Sequence, residues 1–180
     1  MVQKRNKSHA FLFQVLIVLG LLTAVWFSFG QNVLAPQKQT EAPKRLGALK
    51  LGSSTTGAEA LAQVSQLHGT EIEMASAYIA DYTGVNERVT VWVGTANGSE
   101  AATSLLERMV SGISDGNQSF SNLKRIVINQ GYHGHEIYQV SGPGGEHFFY
   151  ISKKANQRVV WLTIAAPDAL AIVEQALNTF

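Results

Sequence analysis

The sequence predicts an α+β domain that follows a single N-terminal transmembrane helix. About six segments after residue 70 alternate apolar and polar side chains with the two-residue period of strands. Three further segments repeat apolar residues at helical spacing, so the predicted order is α-ββ-α-ββββ-α. The connections between the last four strands are short, which indicates a mainly antiparallel sheet covered by the helices.

Residues 10–30 form the predicted transmembrane anchor. The run AFLFQVLIVLGLLTAVWFSF contains no charged side chain over 20 residues, and a helix of this length spans roughly 30 Å, the thickness of a hydrocarbon core. Lys4, Arg5 and Lys7 lie in the basic N-terminus 1–9, just before the run. Because basic residues favour the cytoplasmic side, we expect a cytoplasmic N-terminus and an extracytoplasmic C-terminal domain at the cell membrane.

A cleaved signal peptide is the alternative to this uncleaved anchor. The segment Val33 to Ala35 resembles a cleavage site with small residues, but Pro36 would directly follow the cut. The apolar run is also longer than the core of a signal peptide, which usually has about 7–15 residues. The sequence therefore favours a single-pass membrane protein that keeps its anchor.

A stripe of small residues runs along the predicted anchor. Gly20, Ala24 and Ser28 repeat at intervals of four residues and share one side of the helix. Small residues let two transmembrane helices approach closely within the lipid bilayer, so the stripe is a candidate packing surface. The competing explanation is composition alone, because glycine is frequent in transmembrane helices.

The folded domain is predicted at residues 56–180, after a flexible linker at 31–55. The linker is polar, contains two prolines and lacks a sustained apolar period. A capping-box pattern, Thr56-Gly57-Ala58-Glu59, opens the first helix. The remaining elements are strands at 71–82 and 88–96, a helix that starts at Asn97, strands at 122–130, 135–141, 147–152 and 158–165, and a helix after Pro167.

Composition limits the function of the domain. From Leu46 onward, eight Lys and Arg stand against twelve Asp and Glu, a net charge of −4. A mildly acidic domain with scattered basic residues does not favour nucleic-acid binding, which needs a basic surface to neutralise phosphates. The chain has no cysteine, which excludes disulfides, thiolate metal sites and a cysteine nucleophile.

The stretch GYHGHEIYQVSGPGGEH holds three of the five histidines and offers the one candidate metal site. His133 and His135 are two residues apart, so on a strand they share one face. The glycines at 131 and 134, however, favour a turn that holds His133 before the strand at 135–141. A tight turn at 142–145 would place His147 opposite Val140, roughly 17 Å from His135 at 3.4 Å per residue. A His133–His135 pair alone supplies fewer than the three protein ligands of a catalytic zinc, so no cofactor is predicted.

The expected function is that of a non-catalytic interaction domain or accessory subunit with a membrane or extracytoplasmic protein partner. No Gly-x-Ser-x-Gly elbow is present, and the acidic residues show no diagnostic pairing. Asp81, beside Tyr82 near a turn, could line a pocket, and a solvated strand end is the competing interpretation. Aromatic side chains on alternating strand positions could form a partner surface if one sheet face is left uncovered. The alternatives are a ligand- or metal-binding sensor that uses the His133/His135 turn and, last, a membrane-tethered hydrolase.

Overall fold

Eight antiparallel strands form a single sheet with helices on both of its faces in the described part of the chain. The structure is a computed structural model that describes residues 41–68, 73–116, 119–130 and 133–180. All of these residues belong to one unit, residues 39–180. The fold is therefore α+β with an antiparallel sheet, as the sequence predicts.

In each half of the sheet, strands that follow one another in the chain are also neighbours in the sheet, and one antiparallel strand pair joins the two halves. They are β1 (Arg45–Leu46), β2 (Leu49–Thr56), β3 (Met74–Thr83), β4 (Arg88–Ala96), β5 (Ser121–Gln130), β6 (His133–Gly142), β7 (Gly145–Ile151) and β8 (Arg158–Ala165). The helices are α1 (Gly57–His68), α2 (Ser99–Ser114) and α3 (Ala169–Thr179). Across the sheet the order is β1-β2-β3-β4-β8-β7-β6-β5, so the last strand of the chain pairs with β4 in the interior.

The main hydrophobic core lies on the face of the sheet that α3 covers, which we call the α3 face. Alternating residues of the inner strands, such as Tyr78, Val91 and Leu162, point to this side. They pack against Ile172 and Val173 of α3, and both of these helix residues are buried. Asp168 caps this helix, because its carboxylate accepts a hydrogen bond of 3.0 Å from the Ala171 amide.

The opposite face, which we call the α1/α2 face, carries two smaller clusters. Ala60 and Val64 of α1 pack on Ala77 and Ile79 of β3. Helix α2 forms the second cluster nearby, with Ala102 and Leu105 on Ala96 and Val159. Both clusters lie toward the end of the sheet where β4 ends and β8 begins.

The number of strands differs from the prediction, because two further strands precede α1. β1 and β2 lie within residues 45–56, and the sequence assigned all of these residues except Thr56 to the flexible linker. Apolar alternation in the β2 sequence LKLGSSTT is limited to Leu49, which is buried, and Leu51, and the rest of the strand is exposed or half-buried. Its strand conformation comes from backbone pairing with β3, which places Ser53 opposite Asp81 and Thr55 opposite Ile79. Pairing of this kind leaves no pattern in the sequence of the strand itself.

Coverage of both faces also changes how β3 is buried. The two-residue period predicts one buried and one exposed face, yet residues 77–80 are all buried. Tyr78 and Ala80 face the α3 core, whereas Ala77 and Ile79 lie under α1. Apolar residues at consecutive positions suit this segment of β3, because neither of its faces is open to solvent.

The predicted anchor at residues 10–30 and its stripe Gly20, Ala24 and Ser28 lie outside the described residues. Within the described ranges, no helix combines the length and the apolar character that crossing a bilayer requires. The assignment of an anchor therefore stays a prediction from the sequence.

Candidate functional site

Four aromatic side chains line up across the α1/α2 face in one register row. Trp92, Trp161, Phe149 and Tyr138 are successive backbone partners on β4, β8, β7 and β6. The rings of Phe149 and Trp161 stack at 4.9 Å, and those of Tyr138 and Phe149 stack at 5.3 Å. We call this set the aromatic row. Phe149 is buried between its neighbours, whereas Trp92, Trp161 and Tyr138 are half-buried.

A second row, next to the first on the same face and displaced from it by two residues on β4, β8 and β7, is polar. Ser53, Asp81, Thr90, Thr163 and His147 occupy successive partner positions on β2, β3, β4, β8 and β7. We call this set the polar row. It lies beyond the two clusters formed by α1 and α2, and four of its members are exposed or half-buried.

Hydrogen bonds to both of its oxygens fix the Asp81 carboxylate in the polar row. Ser53 Oγ donates to one oxygen at 2.9 Å, and Thr90 Oγ1 donates to the other at 2.7 Å. A carboxylate has about four lone-pair positions, so two hydroxyl donors leave it further accepting capacity. Asp81 is therefore a positioned acceptor that is half-buried beside Thr90 and Ser53.

Thr163 joins the polar row to the aromatic row. Trp161 Nε1 donates to Thr163 Oγ1 at 3.3 Å, and His147 Nδ1 lies 3.1 Å from the same oxygen. Because an indole N–H can only donate, Thr163 Oγ1 accepts from Trp161. The same hydroxyl can donate to His147 Nδ1 or accept from it, and the tautomer of the imidazole sets that direction.

His147 is buried in an aromatic enclosure. Only 4% of its surface is exposed, and the rings of Phe120 and Trp161 lie 5.1 and 5.4 Å from its own. Burial lowers the pKa of His147, because a low-dielectric environment disfavours the imidazolium, although the carbonyls of Pro143 and Gly142 oppose this effect. No protein group within the described ranges is hydrogen-bonded to its Nε2 atom.

This geometry does not assemble an acyl-transfer site. Thr163 and His147 are at the distance of a nucleophile and its base. The Asp81 carboxylate, however, is bonded to Thr90 and Ser53 on the far side of the row and does not orient the imidazole. The same residues suit recognition, since they offer fixed acceptors and hydroxyls beside half-buried indoles.

An ion pair between Arg125 and Glu136 lies beside the end of the aromatic row that is nearest the sheet edge. Arg125 lies opposite Tyr138 on β5, and its guanidinium is 3.6 Å from the Glu136 carboxylate. Tyr138 Oη donates to the same carboxylate at 3.3 Å. Burial, together with the negative charge of Glu136, raises the pKa of Tyr138. The aromatic row therefore ends on an exposed ion pair.

The structure places His133 and His135 on β6, where positions two apart share a face. The sequence places His133 in the preceding turn, and that assignment is wrong: His133 is the first residue of β6 and pairs with Gln130. His135 lies opposite Ile128 and is half-buried. Among the described residues no group of three or more His, Cys, Asp or Glu side chains could hold a metal ion. A metal site at this pair stays a prediction.

The separation of His147 from that pair follows the predicted hairpin. Gly142 pairs with Gly145, and Val140 pairs with His147, as the turn at 142–145 predicts. His147 also points to the α1/α2 face, the side that carries Phe149 and Trp161. His135 shares the α3 face with Ile137, because it is two residues from this core residue.

The polar row is the part of the site that the sequence does not reveal. Asp81 stands out in the sequence only as an acidic residue near a turn, whereas the structure places it within β3 and bonded across two strands. Its partners Ser53 and Thr90 are 28 and 9 residues away. Alternation within β4 places Thr90 and Trp92 on one face, but the contribution of β2 requires the pairing register.

Comparisons of the chain with protein-family models, with characterised protein sequences and with solved structures find no match.

Proposed function

We propose that the chain is a single-pass membrane-anchored protein whose extracytoplasmic domain is a non-catalytic interaction domain. In this role it is an accessory subunit that docks a protein partner on the α1/α2 face. The uncharged run at 10–29 and the basic residues before it support the anchor and its orientation. The basic N-terminus stays in the cytoplasm, and the acidic domain faces outward.

One observation carries the docking part of the proposal: a fixed polar row adjoins half-buried indoles on a part of the sheet beyond α1 and α2. Tryptophan and tyrosine supply large contact areas at protein interfaces, and their polar atoms orient a partner. Asp81 is already held by two hydroxyl groups, so binding a donor from a partner requires no side-chain ordering there. The surface is therefore preorganised for a polypeptide with exposed N–H or cationic groups.

Affinity capture of the full-length protein from mildly solubilised membranes tests this proposal. We expect a co-purifying chain in fixed stoichiometry with the wild-type protein. Thr90→Arg introduces bulk and charge into the polar row and should abolish the association, and Ser53→Arg should do the same from an exposed position. Leu170→Arg is the matched control, because Leu170 is exposed on α3 and faces away from the site.

Thermal unfolding monitored by circular dichroism must show that all three variants keep the wild-type fold. A partner that survives both Thr90→Arg and Ser53→Arg would place docking elsewhere on the protein. Recovery of the protein without any stoichiometric chain would contradict the accessory-subunit role itself.

A further inference from the structure

An edge strand with an apolar centre lies at one side of the sheet. β5 is the last strand in the sheet order and pairs with β6 alone. In an antiparallel edge strand, alternate residues direct their backbone N–H and C=O groups away from the sheet. Pairing between β5 and β6 is regular from Lys124 to Gln130, after an irregularity near Asn122, whose φ is 58°. Seven residues of regular strand therefore present an outer edge.

The centre of this edge is apolar. Ile126 and Ile128 are half-buried at the rim of the main core on the α3 face. Val127, between them, points to the other face and is 59% exposed. Natural edge strands are protected from pairing by charged side chains, by β-bulges or by a covering segment. On β5 the two charges, Lys124 and Arg125, and the irregularity between Ser121 and Lys124 all lie at one end, so neither a charge nor a bulge interrupts residues 126–130.

We propose that β5 pairs with β5 of a second copy of this chain, antiparallel, about a two-fold axis at Val127. This inference is independent of the proposed function, because it concerns the edge of the sheet and not the α1/α2 surface. In this register Val127 faces its own copy and Ile126 faces Ile128 of the second copy. The two sheets then form one continuous sheet, and the two main cores meet across it.

The side-chain charges, and the face of the sheet on which each side chain lies, favour this register over the alternatives. Residues that oppose each other in a pair must lie on the same face, so the axis must pass through a residue position and not between two. An axis at Val127 sets Arg125 opposite Asn129 and Lys124 opposite Gln130. An axis at Arg125 would oppose two arginines, which is destabilising, and an axis at Ile126 would oppose Lys124 and Ile128. The Val127 axis also uses the whole regular stretch from 124 to 130.

Cysteine cross-linking tests the register, because the chain contains no cysteine of its own. We expect Val127→Cys in the full-length protein to form a disulfide-linked dimer on mild oxidation, since directly opposed Cβ atoms lie about 4.5–5.5 Å apart. Asn129→Cys should not cross-link, because the two copies of residue 129 are displaced by four residues, about 14 Å. Val85→Cys, at a position that is 97% exposed in the β3–β4 turn, measures random collision.

The mass of the protein in detergent supplies the second test. The wild-type protein should have the mass of two chains by light scattering, and Val127→Lys should have the mass of one, because it opposes two ammonium groups at the axis. Val85→Lys should leave the dimer intact. A wild-type monomer would overturn the proposal. The proposal would also be overturned if Val127→Cys formed a cross-linked dimer no faster than Val85→Cys, even if the membrane helix held the protein as a dimer.

Discussion

Two tyrosines of the main core, Tyr82 and Tyr150, differ in how their hydroxyl groups are satisfied. Tyr82 Oη donates to the backbone carbonyl of Pro43 at 2.8 Å, and burial raises the pKa of Tyr82 to about 12. Burial also raises the pKa of Tyr150 and of Tyr78, because the phenolate would lose its hydration. Within the described ranges no hydrogen-bond partner lies near Tyr150 Oη. Two similar side chains in one core therefore make different contributions to stability.

Tyr150→Phe should keep or raise the free energy of unfolding, with a gain of up to about 1 kcal/mol, because it removes an unpaired buried hydroxyl. Tyr82→Phe is the matched variant, and it should lower the free energy of unfolding by about 1 kcal/mol or more, since it leaves the Pro43 carbonyl without its donor. Chemical unfolding of the full-length protein in mild detergent compares the two. Equal losses for both variants would mean that Tyr150 has a partner in solution.

His147 makes stability depend on pH, because its pKa in the folded protein is lowered by burial. The unfolded chain binds a proton near its ordinary pKa of about 6.5, whereas the folded protein resists protonation, so stability falls as the pH drops below about 6.5. Between pH 7.5 and 5.5 this residue should cost at most about 1.4 kcal/mol. His147→Gln should remove that part of the pH dependence in thermal unfolding. An unchanged pH profile would show that His147 is protonated as readily in the folded protein as in the unfolded chain.

At the scale of elements, the β6–β7 hairpin depends on two glycines with different requirements. Gly144 and Gly145 have φ values of 86° and 137°, which L-residues rarely adopt. A Cβ on Gly145 would overlap the carbonyl oxygen of Ile164 and lie 2.9 Å from the carbonyl carbon. A Cβ on Gly144 would meet only the Thr163 methyl, at 3.5 Å. Gly145 is thus required because β7 lies close to the backbone of β8. Gly144 is required only by the backbone conformation of the turn.

Gly144→Ala should cost about 1–2 kcal/mol, the penalty of a left-handed backbone for an alanine. Gly145→Ala should cost more, because the clash is with backbone atoms of β8 that cannot move without breaking the pairing. The midpoints of chemical unfolding rank the two variants. A smaller loss for Gly145→Ala than for Gly144→Ala would contradict the close approach of β7 and β8.

The sequence predicts the hairpin but not every strand, for a physical reason. The GPGG turn and the alternation on either side of it are local, so both the closure at 142–145 and the opposition of Val140 and His147 are confirmed. β2 has no such local signal after Leu51, because its remaining residues are glycine, serine and threonine. Its partner β3 is also separated from it in the chain by α1. The polar row depends on this strand, so the sequence alone could identify Asp81 but not its setting.

At the scale of the whole molecule, the sequence identifies three helices that cover the sheet. It does not identify which face of the sheet each helix covers. Each helix has one apolar stripe, and that pattern is the same whichever face the helix covers. The structure assigns α3 to one face and α1 and α2 to the other, which accounts for buried residues on both sides of β3. On the α1/α2 face Phe149 is buried and Trp161 is half-buried, so the exposed aromatic surface is narrower than a bare sheet face would offer.

The position of β8 inside the sheet sets the order in which the domain can fold. Trp92 and Trp161, which face each other across β4 and β8, are 69 residues apart in the chain. The main core also needs α3, which follows all eight strands in the sequence. Pairings of such long range form slowly and leave apolar strands exposed until they close. In a chain synthesised from its N-terminus, β1 to β4 would thus stay an open half-sheet, available to chaperones or to misassociation, until β8 and α3 have been made.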